Sequence, residues 1–173
     1  VRAMRVLARL TALLMAFVLI GCSARSAPGE PVLRASAPPW PAPRDGLAQL
    51  QAAGLEASRL DDTSNQRRFT LVLTIDSAAV PLVPFIGMDR PRALQGPAHT
   101  LDDAGTVWLE GRGSESVTLG EFFILWGVRF DARCLGAVCG TVEVMADGAP
   151  VADPLALRLA QVAERLTVRV SGA

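Results

Sequence analysis

The chain has no lysine, no tyrosine and a single histidine among 173 residues, and its aromatic side chains amount to only 5%. All 17 basic residues are arginines, which reads as GC-rich coding rather than as chemistry. They are matched by 17 acidic residues and form no basic patch, so the electrostatic footprint of nucleic-acid binding is missing and no nucleic-acid partner is expected. One imidazole, His99, cannot by itself supply the nitrogen-rich ligand set of a zinc or copper site. There is no glycine-rich phosphate loop and no nucleophile-elbow pattern around a serine, so no catalytic residue can be named and no enzyme is expected. Nor does any uncharged apolar run reach the roughly 20 residues that a membrane-spanning helix needs.

What is present begins at the N-terminus. Arg2, Arg5 and Arg9 form a basic start, and the uncharged run Leu10 to Gly21 follows. A basic start, a short apolar stretch and a small residue at the cut describe a secretory signal peptide, expected over residues 1–21. Leu19-Ile20-Gly21-Cys22 resembles the lipobox of bacterial lipoproteins. That resemblance implies a diacylglyceryl thioether on Cys22, further acylation of its amine, and lipid anchoring to the cell membrane or outer membrane on the side away from the cytoplasm. A buried methylene contributes about 0.8 kcal/mol, and a single chain holds only reversibly, so two or three chains make a stable anchor.

Loss of the three leader arginines leaves 14 basic against 17 acidic residues, a net charge of −3. Residues 22–45 are rich in proline, alanine and serine, as in Ala37-Pro38-Pro39-Trp40-Pro41-Ala42-Pro43. Such a composition cannot bury a core and reads as a semi-stiff tether, with Trp40 available to the membrane interface or to the domain. Residues 46–173 then suffice for one domain, with possible sub-lobes 46–98 and 99–173. With Cys22 lipidated, Cys134 and Cys139 remain as an even pair in an exported body, which reads as a disulfide. The four residues between them do not fit the two-residue gap of a thioredoxin-like redox pair.

Asp45 can cap a short helix through Leu47, Leu50 and Ala53. Phe69, Leu71, Leu73 and Ile75 alternate with Thr70, Val72 and Thr74 as a strand with one buried face. Asp76-Ser77 turns it into a hairpin with Ala79 to Val83, marked as an edge by Pro81 and Pro84. Asp89 to Gln95 reads as a polar loop and Thr106 to Glu110 as a strand. Thr118 and Glu121 have capping-box spacing, and Leu119, Phe122, Phe123 and Trp126 follow at helical intervals up to Gly127. This stripe is expected to pack on the sheet. Val142, Val144 and Ala146 alternate up to the turn signal Asp147-Gly148. Leu155 to Leu159 reads as a short extended piece, and Leu166, Val168 and Val170 as the last strand. The order predicts an α+β fold: a small mixed sheet with one covering helix, β-grasp-like from Thr106 onward, with the N-terminal hairpin either joining that sheet or forming a second lobe.

Several blocks resemble a family of uncharacterised exported or membrane-anchored bacterial proteins. They are Val80-Pro81-Leu82-Val83-Pro84-Phe85-Ile86-Gly87, His99-Thr100-Leu101-Asp102 leading to Gly105-Thr106-Val107-Trp108-Leu109-Glu110, and Leu119-Gly120-Glu121-Phe122-Phe123-Ile124-Leu125-Trp126-Gly127. Relatives often carry several histidines that together could bind a metal. Here Phe69, Leu71, Leu101 and Trp108 stand at the corresponding places and only His99 remains. His99 with Asp102, Asp103 and Glu110 is the one candidate metal cluster and a poor one, with His99 expected on the surface of a loop or half-buried in it. Arg129, Asp131 and Arg133 form a second charged group, suited to an anion or to mutual compensation. The composite expectation is a lipid-anchored, non-enzymatic binding or interaction module without a cofactor, partnered by an envelope protein or a small ligand. The alternatives are a metal-binding protein or metal-dependent enzyme around His99, and a thiol-redox protein using Cys134 and Cys139.

Overall fold

An extended chain places every second side chain on the same side, and the longest clean alternation, Phe69 to Ile75, lies at the centre of the fold. The computed structural model describes residues 33–172. In chain order its elements are α1 (Gly46–Ala52), β1 (Ser58–Arg59), β2 (Arg67–Ile75), β3 (Ala78–Val80), β4 (Met88–Asp89), a 3₁₀ turn (Arg90–Arg92), β5 (Leu94–Gln95), β6 (Ala98–His99), β7 (Thr106–Leu109), α2 (Leu119–Trp126), β8 (Cys134–Leu135), β9 (Val138–Ala146), β10 (Ala149–Pro150), a second 3₁₀ turn (Leu159–Gln161) and β11 (Arg165–Gly172). The class is α+β. Among the described residues no helix is long and apolar enough to cross a membrane.

The main sheet runs β10–β9–β11–β2–β7–β6, and β3 shares the outer edge of β2 with β7. Strands β2 and β11 pair in parallel and the other neighbours are antiparallel, so the sheet is mixed. Phe69, Leu71, Leu73 and Ile75 of β2 face the same core as Leu166, Val168 and Val170 of β11. The hairpin therefore joins the main sheet. The series β3–β2–β11–β9–β10, with the first and last long strands parallel at its centre, is β-grasp-like. The grasp is built on the hairpin rather than from Thr106 onward, because the nine residues of β2 give β11 six paired positions, whereas β7 has only four residues. Strand β2 lies between β7 and β11, so segments 46–98 and 99–173 share one sheet.

Helix α2 begins at a complete capping box. The Glu121 amide donates to Thr118 Oγ1 at 3.2 Å, and the Thr118 amide donates to Glu121 Oε2 at 2.8 Å. Gly127, in the left-handed region at φ 66°, ends it. Leu119, Phe122, Phe123 and Trp126 are all buried, as their spacing predicts. Each large apolar side chain removed from water contributes about 1.5–3 kcal/mol. Leu155 to Leu159 departs from its expected extended form: it is a turn closed by the Ala156 amide on Asp153, a single bridge at Arg158 and the start of a 3₁₀ turn. The reason lies in the helix start, whose free amides need acceptors. Leu157 O accepts from Leu119, and Leu155 O accepts from Gly120.

The expected tether over 22–45 is corrected from Arg34 onward. The Arg34 amide donates to Gly127 O, Arg34 O accepts from the Arg129 amide, and Ser36 O accepts from the Ala137 amide. Trp40 is 1% exposed and belongs to the main core. One large indole anchors the segment, and its prolines have no amide hydrogens left to satisfy. The leader, the lipobox and Cys22 lie outside the described residues. Asp89 to Gln95, expected as a polar loop, is instead β4, a 3₁₀ turn and β5. Asp89 is buried and accepts from the amides of Leu47 and Arg92 and from the Arg92 guanidinium, so it ties the start of α1 to that turn. Burial pushes its pKa up, but these bonds outweigh that and hold it below the usual value.

Candidate functional site

The one histidine is fully buried and lies in a strand, which corrects the expectation of a surface or half-buried loop residue. His99 is 1% exposed because β6 pairs with β7, setting His99 opposite Trp108 and Ala98 opposite Leu109. Its Nε2 lies 3.5 Å from Glu110 Oε2, and its Nδ1 lies 3.3 Å from Gly96 O. Both ring nitrogens thus face acceptors, an arrangement fully matched only when both carry hydrogen. Burial opposes that charge and lowers the pKa. Glu110 and the Gly96 carbonyl pull it back up in part, and the net shift is downward.

Glu110, itself buried, is the hub of the network. It accepts from the Gln66 amide and, at 3.3 Å, from Gln95 Nε2, which also donates to Asp62 O at 3.0 Å. The other two members of the candidate cluster do not join it. Asp102 and Asp103 are exposed in the turn before β7, where Asp102 Oδ1 accepts from the Ala104 amide. Among the described residues no three side chains of His, Cys, Asp or Glu are placed to hold a metal ion.

Gln66 links this interior to the surface. Besides donating to Glu110 it lines an open cavity of about 500 Å³, formed where the start of β2, the end of β7, the following turn and the second 3₁₀ turn meet. Asn65, Arg67, Ser114 and Glu115 supply its other polar groups, and Leu109 and Ala160 its apolar ones. A neighbouring cavity of about 490 Å³ includes Ser58, Asp62 and Arg112, and the Ser58 hydroxyl is buried with no partner among the described residues. Sequence reasoning missed Gln66, Gln95, Arg67 and Ser114. The only available signal was polar residues beside alternating apolar ones, which many solvated loops share.

Of the remaining candidates, Arg129, Asp131, Cys134 and Cys139 are engaged structurally, and Arg133 is exposed. Arg129 Nε donates to Asp131 Oδ2 at 2.9 Å, and Asp131 Oδ1 accepts from the amides of Arg133 and Cys134. Burial raises the pKa of Asp131, but these bonds lower it further. Arg129 and Asp131 thus compensate one another and pin the approach to β8. Cys134 and Cys139 are directly opposite in the β8–β9 hairpin and joined by a disulfide. No protein-family model, curated protein or solved structure matches the chain.

Proposed function

We propose that the chain is a lipid-anchored module of the bacterial cell envelope that binds rather than catalyses, in keeping with the exported family its blocks resemble. The observation that carries this is Leu19-Ile20-Gly21-Cys22, set directly at the end of the apolar run Leu10 to Gly21. Processing there makes Cys22 the first residue, acylated and held in the cell membrane or outer membrane. The Cys134–Cys139 disulfide supports an oxidising location outside the cytoplasm. The chain is docked on the domain from Arg34 onward. At about 3.5 Å per residue, the stretch from Cys22 to Arg34 spans at most about 40 Å, so the domain stays close to the bilayer. The open polar cavity lined by Gln66, whose side chain donates to Glu110, supports a binding role.

Intact-mass measurement of the native protein tests the anchor. The expected species begins at a lipid-modified Cys22, and Cys22→Ala leaves the membrane fraction. An unmodified Cys22 with residues 1–21 still attached overturns the proposal.

A further inference from the structure

We infer that the cavity beside Gln66 binds a small zwitterion, a molecule bearing both an ammonium and a carboxylate, of the size of an amino acid or dipeptide. This rests on the reading of the body as a binding module and names the ligand class of that module. Ser114 is 3% exposed and lines the cavity, and its hydroxyl makes no hydrogen bond among the described residues. That hydroxyl is therefore available to bond a ligand atom that enters the cavity. Arg67 and Glu115 line the same cavity with opposite charges, and among the described residues neither forms an ion pair with the other or with any other side chain.

A simple anion drawn to Arg67 meets repulsion from Glu115, and a simple cation meets the reverse. A solute with both charges satisfies both side chains. Gln66 adds selectivity: its amide nitrogen donates to Glu110, which leaves its carbonyl oxygen to accept from an ammonium. Leu109 and Ala160 offer a short aliphatic side chain its contact. The volume of about 500 Å³ falls in the range usual for small-molecule sites.

The test is two-dimensional NMR of the purified full chain titrated with L-alanyl-L-alanine. Saturable shifts are expected at the Arg67 and Ser114 amides and, through Gln66 and Glu110, at the His99 ring. Arg67→Ala and Glu115→Ala should each weaken binding by about fivefold, the upper range for exposed ion pairs. Both side chains are exposed, so the core is untouched by either substitution. The N-acetylated dipeptide should be insensitive to Glu115→Ala, and the dipeptide amide insensitive to Arg67→Ala. Absence of saturable shifts, or equal binding of the free and blocked forms, overturns the inference. A silent titration with Cys22 lipidated removes the ligand class and leaves the anchored module standing; saturable binding with Cys22 unmodified does the reverse.

Discussion

The indole of Trp40 meets that of Trp126 edge to face, with ring centroids 5.6 Å apart and planes at 88°, and Trp126 Nε1 donates to Trp40 O at 3.0 Å. Trp40 Nε1 in turn donates to Ser36 O. A residue in the proline-rich segment thereby completes the core beneath the covering helix. Trp40→Ala removes a buried aromatic and should destabilise the fold by about 3–5 kcal/mol. Urea denaturation measures the loss, and limited proteolysis should show new cleavage between residues 34 and 45. A change below about 1 kcal/mol, with no new cleavage, would mean that the docked segment is dispensable.

Gly136 makes that docking possible. It has φ 57°, and a Cβ at that position would lie 2.4 Å from the Trp40 ring and 2.5 Å from Ser36 O. Both the left-handed backbone and the contact exclude a side chain. Gly136→Ala should destabilise the protein by about 1–3 kcal/mol, the usual range for overpacking, and should change the tryptophan fluorescence by displacing Trp40. Native-like stability with an unchanged spectrum would contradict the close approach.

The disulfide closes a short loop. Its chain-entropy contribution is about 2 kcal/mol, less than the burial of Trp40. The double substitution Cys134→Ser with Cys139→Ser should therefore lower the thermal midpoint without abolishing folding. Complete unfolding would show that the β8–β9 hairpin is far less self-sufficient than its pairing with β11 implies.

The elements legible in the sequence were those whose signals are local. Thr118, Glu121 and Gly127 state the limits of α2, and Asp147-Gly148 states its turn, because capping and left-handed turns depend on residues only a few positions apart. The parallel pairing of β2 with β11 joins segments from opposite ends of the domain and leaves no local mark. The tether reading failed from Arg34 onward because composition averages a segment, whereas one residue, Trp40, decides where it lies. The His99 network was hidden for a similar reason. Gln66, Gln95, His99 and Glu110 come from separate loops and strand ends, and only the pairing of β6 with β7 and the paths of the flanking loops bring them together.

That network also predicts how stability varies with pH. In the folded protein burial holds the His99 pKa below its ordinary value of 6.5, despite the opposing pull of Glu110 and the Gly96 carbonyl. Below that ordinary value the unfolded chain takes up a proton on this imidazole more readily than the folded one, so protons favour unfolding. The contribution of His99 to stability is thus present above about pH 6.5 and declines as pH falls toward the folded pKa. As the only histidine, it dominates the slope between about pH 6.5 and 5, above the range in which most carboxylates titrate. Urea midpoints measured across this interval should fall with decreasing pH. His99→Gln, which keeps a donor toward Glu110 but cannot titrate, should flatten the slope. NMR titration of the ring assigns the effect directly: a His99 pKa at or above 6.5, or a slope unchanged in the variant, would show that burial does not lower the pKa of this imidazole in the folded protein.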